Sequence, residues 1–552
     1  MLAAAFWLQR AALRAPFFAD DFLFLDQVRN HSLGAALASP DPIGNFVRPV
    51  GRQLDFWLLS RLGGESPLPF HVVNLALFLV ALALLFVIAR RLAGAAAAAI
   101  AAGFVALHYA ADVPLLWASG SQDLLALTCA LAALALFLGG RRWPAAVALL
   151  AGMLSKETVL FTPVVAALAA RRRGEPWRAT LARAGPLALA PALWAVLWLA
   201  LAIARPGVRQ AVGWSAAGLA AAFVHLAQVA LGIEWRAGGE LRFLNSLPGL
   251  IPTLLVLAAV AIATWNAPAV REDRSRAIPP AMLGLAWAAL GALPIAAVSS
   301  VWSAYYYLFA LCGLGLAIGA WLARSPAAAF ALVVLLAWGS ENGRRLDEFI
   351  TVPGIWTRQS HVNRLYVERA TSQVGRYLAQ LRRALPALPH RSTLFFGGVP
   401  SFIGFQSADG PLVRWAYRDS SLRSYYLLQF SAERYRRGPA FAFTVHNDSL
   451  EQQPLSGPFL RACALGAMLA ERPRVALEIL DLPALRGSVG TTQPYWRAWM
   501  QWALGDTAAA RASLIASGAV PAEGPMPEAT EAIRMFTAGD TTGAINLLSE
   551  GV

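Results

Sequence analysis

From Phe70 to Ala89 the chain runs for twenty residues with His71 and Asn74 as its only polar side chains, and it then meets Arg90-Arg91. A run of about 20 apolar residues is long enough to cross a bilayer as a helix, and in lipid only helices and closed barrels satisfy their own backbone. The pattern recurs. Leu115–Leu138 stops before Arg141-Arg142, and the short pieces Pro144–Leu154 and Thr158–Ala170 stop at Arg171-Arg172-Arg173. Leu247–Thr264 leads to Arg271, Arg274 and Arg276, while Gly94–Tyr109, Ala184–Ala204, Pro279–Val298, Trp302–Leu322 and Ala327–Gly339 are further apolar runs. Residues 1–18 are short for a span and carry Arg10 and Arg14, which leaves either a tilted helix with snorkelling arginines or a start further upstream. The sequence therefore predicts an all-α polytopic membrane protein with about eleven transmembrane helices.

Composition agrees. Of 552 residues 57% are hydrophobic and 14% charged, against about a quarter charged in soluble domains. The net charge of +14 does not point to nucleic acid, because the arginines sit at the ends of apolar runs and not on a basic face interleaved with stacking aromatics. Cys129, Cys312 and Cys463 form no metal spacing or disulfide framework. Placing the arginine-rich ends inside puts residues 19–69, Asp112, Lys156 and 205–246 on the outer side, and eleven spans put the C-terminal portion there too. Ala211–Gly232 is then read as lying on or re-entering the outer surface.

The remainder divides in two. Residues 341–456 turn polar, with a strand expected at Thr393–Gly397, and suggest a small α/β or linker region. Residues 457–552 repeat with a period of 34: Met468, Trp502 and Phe536 are in register, as are Ala476, Ala510 and Ala544. That period, with small residues at packing positions, reads as TPR-like helical repeats, the alternative being an ordinary helical bundle. The expected domains are thus a transmembrane body over 1–340, an extracytoplasmic region over 341–456, and repeats over 457–552.

The outer segments hold the residues that carry chemistry. Asp20-Asp21 follows the first apolar segment directly; such a carboxylate accepts a proton, holds a metal, or is a solvated interfacial pair. Asp112 lies on the same side between His108 and Trp117, so that carboxylates from two loops can converge; His108 is read as a hydrogen-bonded cap before it is read as a ligand. Lys156 is the only lysine among 46 basic residues. It sits with Glu157 between two half-length helices, either as a self-neutralising pair or as a point charge for phosphate, with Arg48, Arg205 and Arg209 as assistants. His71 and Asn74 share one helix face, where an interhelical hydrogen bond is the plainer reading. Tyr305, Tyr306 and Tyr307 suit an aromatic belt.

Together these elements resemble the GT-C membrane glycosyltransferases, and within them the protein O-mannosyltransferase-like and transmembrane-and-TPR mannosyltransferase group. The resemblance rests on Asp20-Asp21, Arg48-Pro49, Phe70-His71-x-x-Asn74, Leu107-His108, Asp112-Val113, Trp117, Asp123-Leu124-Leu125, Leu154-Ser155-Lys156-Glu157-Thr158 and Tyr305-Tyr306-Tyr307-Leu308. It departs from the group's pattern at Tyr109, where proline is usual, and at Ala304, where arginine is. It implies an inverting transfer of sugar from a polyprenyl-phosphate carrier to an acceptor on the outer face, in a membrane such as the bacterial inner membrane suggested by the arginine- and alanine-rich composition. Asp20 or Asp21 would be the general base, and Asp112 would position the acceptor or a divalent metal. Lys156, Arg48 and Arg205 would hold the donor phosphate, with His71, Asn74, His108, Glu157, Tyr305 and Tyr307 supporting. The TPR-like tail would bind a partner or acceptor. A transporter and an inactive scaffold with an interaction tail are the competing classes; ionisable residues at span ends rather than mid-membrane favour the enzyme.

Overall fold

The computed structural model describes residues 1–232, 278–332, 362–400, 409–485 and 492–516, leaving aside 30, 65, 173, 206–212 and 326, together with single positions at 258, 262, 335, 344, 535 and 540. The chain forms two compact units, Met1–Gln373 and Val374–Val552.

The first unit is helical. α1 (Leu2–Gln9) is followed by α2 (Asp20–Arg29), α3 (Leu33–Ala38) and α4 (Asp55–Gly63), and then by α5 (Leu68–Ala93). α6 (Ala95–Leu107), α7 (Asp112–Leu116), α8 (Ser121–Leu138), α9 (Arg142–Met153), α10 (Thr162–Arg172), α11 (Trp177–Ala204) and α12 (Ala216–Leu231) follow. Among the described residues five helical stretches are long and apolar enough to cross a membrane: Leu68–Ala93, Ala118–Leu138, Trp177–Ala204, Pro280–Val301 and Ala304–Leu322. A sixth appears if α6 and the 57° bend into Tyr109–Leu116 count as one. Apart from positions 258 and 262, the Leu247–Thr264 run and its arginines lie outside the described residues, as does part of Ala327–Gly339.

Each boundary has a local cause. Pro67 caps α5 and Pro69 enters its first turn, where no backbone N–H is needed; Gly94, at φ 94°, ends it in a conformation that favours glycine. α11 keeps Leu189, Val196, Leu199 and Ile203 exposed, the surface expected of a lipid-facing helix. The helix Leu308–Leu322 instead presses backbone to backbone on two neighbours: a Cβ on Gly313 would lie 2.6 Å from the Ala288 nitrogen of Pro280–Ala292, and one on Gly319 would lie 2.2 Å from the Ala97 carbonyl of α6. Small residues at the crossing permit that approach, which is how apolar helices gain packing energy without a hydrophobic driving force. At the arginine-rich end the guanidinium groups tie helices together: Arg91 reaches the Ala135 carbonyl at 3.1 Å and Arg172 the Ile278 carbonyl at 2.9 Å.

The second unit holds a four-stranded sheet ordered β2-β1-β3-β4. β1 (Thr393–Gly397) runs parallel to β2 (Arg423–Tyr426) and β3 (Ala440–His446), and β3 pairs antiparallel with β4 (Ser449–Gln453). Phe395 of this sheet joins Phe430, Leu460, Ala464, Ile479, Leu480 and Met500 in one core. The helices Gly457–Leu469 and Pro473–Leu480 pair, as do Thr492–Ala503 and Thr507–Ala516. The third repeat expected from the 34-residue period lies outside the described residues.

Candidate active site

The site gathers at the end of the first unit opposite the arginine-tied ends, and it begins with a turn. Ala19 takes φ 45°, a conformation that costs an alanine strain and recurs where function fixes the backbone. The next two carboxylates then face different surroundings. Asp21 is fully buried and accepts from Phe18 N at 2.8 Å, from Ser119 N at 2.7 Å and from the Ser119 hydroxyl. It clamps the first loop to the second. Burial pushes its carboxyl up to about 7 against the pull of those donors. Asp20 has no hydrogen-bond partner among the described residues and is only half-buried. Desolvation raises its pKa, while Arg52 and Arg48 draw it down and Asp41 pushes it up.

The two arginines come from the π-helical turn Val50–Leu54, which holds Arg52, and from Arg48 just before its cap, Pro49. Gly51 permits the turn's close seating: a Cβ there would lie 3.0 Å from the Ser155 carbonyl and 3.1 Å from Gln122 Cα. Val50 N also donates to the Leu154 carbonyl at 3.1 Å. Arg48 and Arg52, four residues apart, converge on one acceptor, Gln122 Oε1, from Nη1 at 3.2 Å and Nε at 2.8 Å. Gln122 Nε2 donates to the Ser119 carbonyl, which fixes the amide's orientation. Arg52 also pairs with Asp41, and Arg48 forks onto Glu157, with Nε at 3.0 Å from Oε2. Burial alone would raise Glu157, but Arg48 overrides it and holds that carboxyl at about 2.

Lys156 does not pair with its neighbour Glu157. Its ammonium lies 2.7 Å from both oxygens of Asp123 at the start of α8, and 4.5 Å and 5.1 Å from the ring centroids of Tyr306 and Tyr305. Burial lowers its pKa, and Asp123 draws it back up. Arg205 closes α11. Its carbonyl accepts from Asn45 Nδ2 at 3.3 Å, while its Nη1 is buried and has no hydrogen-bond partner among the described residues. Arg209 lies outside the described residues.

The other expected site residues sit elsewhere. Asp112 is buried, takes Gln9 Nε2 at 3.2 Å and Arg344 Nε at 2.5 Å, and does not join the cluster around Asp20; Asp123 is the second-loop carboxylate that does. His108 caps the turn at Tyr109, accepting from Ala110 N at 3.1 Å through Nδ1, which leaves Nε2 to donate to the Val229 carbonyl at 3.0 Å. His71 Nδ1 meets the Leu115 carbonyl at 2.9 Å. Asn74 donates to the carbonyls of Pro114, Trp117 and Ala118, so the pair holds the second loop in shape. Tyr305 and Tyr306 flank Lys156, whereas Tyr307 turns away to the Ala222 carbonyl at 3.0 Å. Sequence reasoning did not single out Asp41, Arg52, Gln122 or Tyr306 as site residues. The four-residue spacing of Arg48 and Arg52 was the available signal.

Among the described residues no three His, Cys, Asp or Glu side chains come together as a metal site. The arrangement is a carboxylate with a raised pKa beside two arginines, Arg52 and Arg48, in a cluster whose three cations each have an acidic partner. It suits proton acceptance beside an anionic group.

No family model matches the chain, and no curated protein matches it. Among solved structures, the chain aligns with the crystal structure of ArnT from Cupriavidus metallidurans bound to undecaprenyl phosphate. The TM-score is 0.42 and the identity 15%, over 80% of this chain and 92% of that one. At that level of likeness neither fold nor activity is inferred from it.

Proposed function

We propose that the chain is a membrane glycosyltransferase that moves a sugar from a polyprenyl-phosphate carrier to an acceptor hydroxyl, with inversion and with Asp20 as general base. The observation that carries the reading is the division within the acidic pair: Asp21 is spent on three structural hydrogen bonds, and Asp20 is left without a partner among cations. The acceptor oxygen attacks C1 of the sugar and its proton passes to Asp20. The C1–O bond to phosphate breaks with its electron pair leaving on the phosphate, through an oxocarbenium-like state. Lys156, Arg48 and Arg205 stabilise that phosphate. Arg205 brings a buried donor with no partner among the described residues, and Lys156 brings a compact charge that can exchange Asp123 for phosphate. Asp112, His71, Asn74, His108, Glu157 and Tyr307 support the loops, and Tyr305 packs beside Lys156.

The mannosyltransferase subgroup, the full set of about eleven spans, the TPR-like nature of the C-terminal helices and a periplasmic-facing site in a bacterial inner membrane belong to the same reading. They rest on the sequence resemblance and on the distribution of arginine. The test is sugar transfer by purified protein in detergent from a labelled panel of polyprenyl-phosphate sugars, mannose first, comparing wild type with Asp20→Asn and Lys156→Ala. The proposal expects turnover that Asp20→Asn lowers by about 10²–10⁴. Absence of both transfer and donor hydrolysis with every donor overturns it in favour of the scaffold.

A further inference from the structure

The second unit carries a cluster of charge that the transfer reaction does not use. Three loops lead into the three parallel strands from one side, and each delivers an arginine: Arg391 before β1, Arg423 at the start of β2, and Arg437 before β3. The backbone locks the loops together. Arg391 N donates to the Ser421 hydroxyl at 2.7 Å, Arg423 N to the Ser392 carbonyl at 3.1 Å, and Thr393 N to the Pro439 carbonyl at 2.9 Å. Gly438 is pressed so close that a Cβ there would lie 2.4 Å from the Arg391 carbonyl oxygen. The arginines are therefore held on a fixed rim.

Acidic partners are too few for them. Asp409 is shared between Arg414 at 2.5 Å and Arg423 at 2.9 Å. Asp419 faces His390 at 2.8 Å and takes Ser421 N at 2.8 Å. Arg437 gives Nη2 to the Ser421 carbonyl at 2.9 Å, but its Nη1 is buried without a hydrogen-bond partner among the described residues. Arg423 and Arg391 lie close enough to repel it. An arginine nitrogen shut away from water without an acceptor is costly unless something arrives to accept from it.

We propose that this rim binds a tetrahedral phosphate group, with the free Nη1 of Arg437 as its central donor and Arg391 and Arg423 flanking it. Planar guanidinium forks match phosphate oxygens, and the excess of arginine over carboxylate supplies the charge. The proposal is independent of the transfer activity. Its test uses the full chain in detergent at low ionic strength, titrated by calorimetry with inorganic phosphate and, separately, with dihexanoyl phosphatidate against dihexanoyl phosphatidylcholine. Saturable binding that weakens tenfold or more in Arg437→Gln supports the site; binding of inorganic phosphate identifies a free anion as sufficient, and binding of phosphatidate alone identifies a lipid headgroup. Arg391→Gln, whose side chain leaves the Ser421 contact of Arg437 untouched, is expected to weaken the same ligand with an unchanged unfolding midpoint. No saturable binding of either probe, or equal binding by wild type and both variants, overturns the proposal.

Discussion

The two aspartates of the acidic pair give the sharpest test, because the same amide substitution acts on different properties at adjacent positions. In Asp21→Asn one oxygen still accepts from Ser119, but the amide NH₂ then faces the Phe18 N–H, which donates at 2.8 Å in the wild type. Two donors confront each other in a fully buried place. A stranded buried polar group costs about 1–3 kcal/mol, so the pair costs about 2–6 kcal/mol. Asp20 has no such bond to lose, and Asp20→Asn should unfold within about 0.5 kcal/mol of wild type. Its effect falls on turnover, where loss of a general base removes about 10²–10⁴, equivalent to about 3–5 kcal/mol of transition-state stabilisation. Thermal unfolding in detergent and donor turnover per folded molecule read the two properties separately. The reasoning fails if Asp21→Asn melts with wild type, or if Asp20→Asn keeps more than a tenth of wild-type turnover.

Other outcomes follow from the same geometry. The kcat/KM of transfer should rise with pH on an acid limb whose midpoint lies above the ordinary aspartate value. Asp20 must be ionised to accept a proton and burial raises its pKa; Glu157, held at about 2, cannot supply that limb, and a pH profile measures it. Lys156→Arg should lower turnover by tenfold or more while preserving charge, since a planar fork cannot replace an ammonium seated on Asp123 between two tyrosine rings. Gly319→Ala should destabilise by about 1–3 kcal/mol, read by denaturation, because its Cβ would meet the Ala97 carbonyl at 2.2 Å. Glu471→Gly should stabilise the second unit by about 0.5–1 kcal/mol, because Glu471 holds φ 57°, a conformation that Gly505, 34 residues further on, adopts at φ 79°.

What could be read in the sequence was set by range of interaction. Apolar runs and their arginine ends are local properties, so α5 and α8 were legible, and so was the break at Ser155-Lys156-Glu157 between α9 and α10. The strand at Thr393–Gly397 was legible from its apolar run, whereas β2 and β4 are largely polar, and β3, although longer, ends in Thr444 and His446 around Val445. Which charge meets which was not legible, because it depends on loops far apart in sequence. Lys156 and Glu157 look like a pair to each other, yet each is turned to a partner more than thirty residues away, Asp123 and Arg48. Asp112 looked equivalent to Asp20 because both follow an apolar segment on one side; its partners, Gln9 and Arg344, are drawn from opposite ends of the first unit. The division of labour between Asp20 and Asp21 depends on the turn at Ala19, which composition does not announce.

The one-to-one pairing of the cluster has a consequence for the course of a turnover. Arg48, Arg52 and Lys156 balance Glu157, Asp41 and Asp123, so ionised Asp20 leaves the cluster one negative charge in excess. In the proposed reaction a polyprenyl phosphodiester would arrive with one negative charge and depart as a monoester carrying two. The proton captured by Asp20 cancels the cluster's own excess at the moment the phosphate gains its second charge. Total charge is conserved, but negative charge has migrated from carboxylate to phosphate, toward Lys156 and Arg205. Resetting the enzyme then requires Asp20 to shed its proton, so the lipid product and the proton should leave as a coupled pair, and product retention should ease as the solution becomes more alkaline.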